Sequence, residues 1–214
     1  MMDAATARKI LHQDNPTNLN DVVQPVLKDG NLRDDLVDGC FAKEEMHRYN
    51  CVRVLFRAIS LNPDLFYPYW DRFAEGISSP NSFHRSSSAQ AIAHLASVDR
   101  YHKLDSIFDP YLKLLDDSKV MASHYFLETL HLIYHARPDF QPRIVACLLS
   151  LEKTKHPPSR KEMLKADVIS NLDQIFETLS PIDKKKAISF VKKQLKSSSP
   201  KARNTAKEFG KKHE

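Results

Sequence analysis

Apolar residues recur three and four apart through most of this chain, in stretches rich in Ala, Leu, Lys, Glu and Gln. No sustained apolar/polar alternation and no Asn-Gly hairpin turn interrupts them. The pattern predicts an all-α protein. The helical segments fall into pairs: 20–28 with 40–60, 64–76 with 81–97, 101–115 with 118–136, 139–152 with 159–178, and 182–196 with 199–212. Residues 1–19, beginning MMDAATARKILHQ, lack the apolar core of a signal peptide and predict a short amphipathic capping helix. The stretch holding Gly30 and Gly39 is the loosest region, an insertion of undefined shape between the helices of the first pair.

The pairs repeat. Arg48, Arg85, Ser123, Lys165 and Arg203 follow one another at gaps of 37, 38, 42 and 38 residues. Three, four and seven residues beyond each of the first four stand small or apolar side chains: Cys51, Val52 and Leu55; Ser88, Ala89 and Ile92; Phe126, Leu127 and Leu130; Val168, Ile169 and Leu172. That spacing places them on one helical face beside a polar or basic position. The fifth copy, Ala206, Lys207 and Gly210, decays, as a terminal repeat facing water can. A second column, Pro25, Pro68, Pro110 and Pro142, lies in the first helix of successive pairs, and Pro181 opens the fifth. Proline at such places starts a helix or kinks it by removing a donor. Asn62-Pro63, Ser79-Pro80, Pro157-Pro158 and Ser199-Pro200 mark the breaks between segments.

Paired helices at this period, with proline in the first and a basic residue near the start of the second, resemble the HEAT-repeat family. The resemblance covers residues 20–212. It implies a right-handed α-α superhelix, an α-solenoid of about five hairpins (20–60, 61–98, 99–137, 138–179 and 180–212) stacked as a single domain over 1–214, with second helices lining a concave side. It also implies a non-catalytic scaffold or adaptor that works as a monomer and binds a protein partner on that side. Arg48, Arg85, His124, His131, His135, Lys165 and Arg203 would then face the partner. The DNA alkylation-repeat glycosylases are built from similar hairpins, and Trp70-Asp71 is similar to a step those enzymes carry. An exposed Trp70 is the condition for that reading.

Composition narrows the setting. No apolar run reaches the roughly 18–20 residues that span a bilayer. Three cysteines, Cys40, Cys51 and Cys147, form no Cys-x-x-Cys pair, which predicts buried free thiols in a cytoplasmic protein, with a Cys40–Cys51 disulfide as the alternative. The net charge of +5 is uneven. Residues 183–214 hold 11 Lys/Arg against 3 Asp/Glu, a net of +8, and residues 1–182 hold 21 against 24, a net of −3. Lys184, Lys185, Lys192, Lys193, Lys196, Lys201 and Lys207 are therefore candidates for DNA, RNA or other polyanions, through phosphates rather than base edges.

Two further clusters invite chemistry. His124, Glu128, His131 and His135 fall within a stripe about 60° wide on one helix, a spacing that can hold zinc or titrate near neutrality. The aromatic run Phe66, Tyr67, Tyr69, Trp70, Phe73 reads as core at Phe66, Tyr69, Trp70 and Phe73, leaving Tyr67 as the exposed ring. No Gly-x-Ser-x-Gly, phosphate loop or His-Glu-x-x-His pattern occurs, and no cofactor is expected.

Overall fold

The computed structural model describes residues 2–213: twelve α-helices and eight short 3-10 turns, with no strand among the described residues. It divides into two compact units, one running to His102 and one starting at Lys103. The first holds α1 (Ala4–Leu11), α2 (Val23–Lys28), α3 (Gly30–Gly39), α4 (Glu45–Leu61), α5 (Trp70–Gly76) and α6 (Ser82–Leu95). The second holds α7 (Leu104–Leu112), α8 (Val120–Ala136), α9 (Gln141–Leu148), α10 (Pro158–Ile175), α11 (Pro181–Gln194) and α12 (Pro200–His213). Among the described residues no helix is long and apolar enough to cross a membrane.

Local chemistry sets the helix starts. Asp3, Asp29, Asn81 and Ser180 each accept a backbone N–H from the first turn of the helix they precede. Pro158, Pro181 and Pro200 open α10, α11 and α12, where a missing donor costs nothing. The capping helix α1 is held from α4: the Asn50 side-chain amide donates to the carbonyls of Leu11 (3.2 Å) and Gln13 (2.9 Å).

The insertion expected at residues 30–39 folds as a helix. Asp29 caps α3 at 3.0 Å, and Leu32, Leu36 and Val37 turn into the core. Gly39 is a packing residue, because a Cβ there would overlap Cys51 Sγ on α4. Gly76, 37 residues on, does the same between α5 and α6, where a Cβ would overlap Ser88 Oγ and lie 3.0 Å from Phe41 Cε1. Cys51 and Ser88 hold the same repeat position, so each glycine marks the closest approach of two paired helices.

The aromatic run also departs from expectation. Residues 63–69 form two 3-10 turns, Pro63–Leu65 and Tyr67–Tyr69, before α5 begins. Three residues per turn align Tyr67 with Trp70, whose rings lie 5.8 Å apart. Tyr67 is thus buried, its hydroxyl donating to Asp99 at 2.7 Å. Tyr69 is the half-exposed ring, its hydroxyl bound to Asp34 at 2.5 Å. Phe66, Trp70 and Phe73 fill the core of the first unit. All three cysteines are free, Cys40 and Cys51 buried and Cys147 partly so.

Candidate functional site

Four of the five second helices, α4, α6, α8 and α12, begin three residues before their column residue, which places its side chain over the turn just crossed. Arg48 donates to the carbonyls of Ala42 (2.8 Å) and Lys43 (3.3 Å). Arg85 donates to those of Ser79 (2.7 Å) and Pro80 (3.1 Å), and Arg203 to those of Ser197 (2.7 Å) and Ser198 (3.0 Å). The offsets, six and five residues back, are the same each time. The repeated arginine is a clasp that satisfies the carbonyls of the inter-helix turn, worth about 1.5–3 kcal/mol for hydrogen bonds from a charged donor.

Two positions differ. At Ser123 no guanidinium is present, and neighbours from the next hairpin take over the turn: Arg160 donates to Ser118 O at 3.3 Å, and His156 Nε2 donates to Leu115 O at 3.0 Å and lies 3.1 Å from Ser123 Oγ. At Lys165 the helix starts seven residues earlier, one turn longer than its counterparts, which accounts for the 42-residue gap. Lys165 therefore has no turn to clasp and sits, nearly buried, against Glu162 and Glu152. Desolvation works to raise the Glu162 pKa, but hydrogen bonds from Lys165 and Ser197 prevail and hold it at about 2.

The histidine stripe of α8 does not gather as a metal centre; among the described residues no three His, Cys, Asp or Glu side chains converge on one point. Each ring has separate surroundings. His124 Nδ1 donates to Asp167 Oδ2 on α10 at 2.7 Å, and Asp167 also accepts from Lys201 on α12 at 3.2 Å. The Asp167 bond raises the His124 pKa above its ordinary value. Burial and the neighbouring His135 lower that of His131. His135 and Glu128 are exposed. Between them Asn171 of α10 accepts the His131 backbone N–H at 3.1 Å and donates to the Leu127 carbonyl, holding both ends of one helical rung.

Two features remain open to solvent. The second residue of α4, α6 and α8 is apolar each time: Met46 is half-buried, Phe83 is 57% exposed and Met121 46% exposed. Phe83 lies over the Arg48 guanidinium at 5.0 Å. Met163, on α10, is 55% exposed. The sequence carried this column two residues ahead of the basic one, at 46, 83 and 121, where it was masked by the more conspicuous arginines. Trp70, in contrast, is 1% exposed and offers no stacking platform beside the exposed Asp71.

The second open feature is cationic. Of the candidate lysines, Lys184 lies 3.7 Å from Glu177 and over the Phe176 ring, and Lys201 is tied to Asp167. Lys185, Lys192 and Lys193 stand exposed on α11, Lys196 in the turn just after it, and Lys207 on α12. Lys185, Lys193, Lys196 and Lys207 have no carboxylate partner among the described residues.

No protein-family model and no curated protein matches the chain. It is similar in backbone to the crystal structures of two engineered proteins from the Northeast Structural Genomics Consortium. The first is 14% identical, with a TM-score of 0.49 over 100% of this chain and 99% of that one. The second is also 14% identical, with a TM-score of 0.45 over 98% and 97%.

Proposed function

We propose that this chain is a non-catalytic, HEAT-like adaptor, an α-solenoid of helical hairpins whose second helices hold a protein partner. The observation that carries the reading is the apolar side chain at the second position of α4, α6 and α8, exposed at Phe83 and Met121. Isolated exposed apolar residues are ordinary, but one helix position kept apolar through three successive hairpins is a different pattern. Methionine and phenylalanine suit such a surface, the first by adapting its shape and the second by filling a pocket. The arginines of the repeat support the adaptor rather than contact its partner, since their guanidinium groups serve the turns. Three free thiols favour a reducing compartment, as in the cytoplasm.

The test compares what the full chain and its Phe83→Asp/Met121→Asp variant retain from an extract of the source cells. The reading expects a protein held by the first and lost by the second, with thermal unfolding of the two chains alike. Identical retained sets from both would overturn it.

A further inference from the structure

The face of α11 turned away from the core is a row of lysines with one carboxylate on the whole helix. That carboxylate, Asp183, is occupied: Lys186 donates to it at 2.9 Å, and it accepts the Ser180 hydroxyl at 2.8 Å. Ala187, Val191 and Gln194 define the buried side. On the opposite side Lys185, Lys192 and Lys193 fall within about 100° of arc and about 12 Å of helix length, and Lys196 follows in the turn two residues past the helix end. The shallow surface around them includes Ile188 and Ser189, so no acidic group interrupts the row. Chain charge is concentrated in the same place, with a net of +8 over residues 183–214 against −3 before it.

A row of this kind can meet a phosphate backbone or an anionic lipid surface, and the neighbouring side chains separate the two. Ile188 and Leu195 lie toward one flank of the row and Ile182 at its N-terminal end, so no continuous apolar face points outward to enter a bilayer. Single-stranded nucleic acid is held largely by stacking on exposed rings. Here Phe176 and Phe209 are buried, Phe190 is partly so, and α11 carries no other aromatic side chain. What remains is charge alone, spaced along a straight rod. We propose that this face of α11 binds double-stranded nucleic acid through its phosphates, without reading sequence, independently of the protein partner proposed for the second helices. Lys185, Lys193 and Lys196, which have no carboxylate partner among the described residues, supply the contact with Lys192 beside them.

The experiment titrates the full chain into a labelled duplex of about 20 base pairs, the matching single strand, and vesicles containing phosphatidylserine. Four phosphate contacts give a slope of about −3.6 in log affinity against log salt, or about 150-fold weaker binding at about 200 mM than at about 50 mM. The Lys185→Gln/Lys193→Gln/Lys196→Gln variant is expected to bind the duplex more than about tenfold more weakly at low salt and to reduce the slope to about −0.9. The corresponding triple Arg variant keeps both the affinity and the slope, which separates lost charge from lost fold. Absence of duplex binding at low salt overturns the proposal. So does a Gln variant that binds like the parent, a preference for the single strand, or tighter binding to vesicles than to duplex.

Discussion

The two units hold their paired helices together in different ways. In the first, the paired helices meet closely, with Gly39 admitting Cys51, Gly76 admitting Ser88, and Arg48 and Arg85 each clasping the turn of their own hairpin, while longer bonds such as Tyr69 to Asp34 supplement them. In the second, only Arg203 keeps that clasp, and the bonds run from one hairpin to the next. His124 reaches Asp167, Asp167 reaches Lys201, Asn171 grips α8, and His156 and Arg160 serve the turn before Ser123. One repeat can thus be closed from within or tied to its neighbours, and the second solution includes a histidine, His124, whose proton affinity is raised by its bond to Asp167.

The comparison is most sharply broken at Gly76. Valine there forces the helix off Ser88 and Phe41 and is expected to cost about 3 kcal/mol or more. Ser88→Gly should restore part of that loss in the double variant, measured by urea unfolding. If Gly76→Val were neutral, close packing would not be what joins α5 to α6. Next comes Asn171→Leu in the second unit. It removes both bonds to α8 and is expected to cost about 2 kcal/mol, a loss that chemical denaturation would register.

Arg85→Met follows, at about 1 kcal/mol because the guanidinium is partly solvated and the turn carbonyls can turn to water. The matching change at Ser123, to Ala, should cost less than Arg85→Met, since Arg160 and His156 already serve that turn. Equal losses would mean that the clasp has no special role.

An effect of another kind is one of pH. Glu162 has a folded pKa near 2 against an ordinary 4.5, so the stabilisation it provides is present above about 4.5 and fades as pH falls toward 2. Unfolding measured across that window should be flatter in Glu162→Gln, by on the order of 1–2 kcal/mol between its ends. A parallel pH dependence in both chains would assign the acid sensitivity elsewhere.

How far the sequence disclosed this depends on the range of the interaction. The helices and the column at 48, 85 and 203 were legible because a local geometry, a helix start three residues before an arginine, repeats with the chain. Their task was not, since a clasp on carbonyls five and six residues back and a partner-facing cation share one pattern. Helix α3 was missed because Gly39 reads as a break unless Cys51, twelve residues later, is known to press against it. Tyr67 and Tyr69 exchanged places because Pro63 and Pro68 impose 3-10 turns, and the 3.6-residue period does not apply there. The pairs His124–Asp167 and Glu162–Ser197 lie 43 and 35 residues apart, beyond any spacing rule.

The grip of Asn171 on α8 has a practical corollary. The amide proton of His131 is held by a side chain belonging to the following hairpin. Its replacement by deuterium therefore times the unseating of α10 as well as the fraying of α8, making one peptide group a native gauge of how often those two helices part.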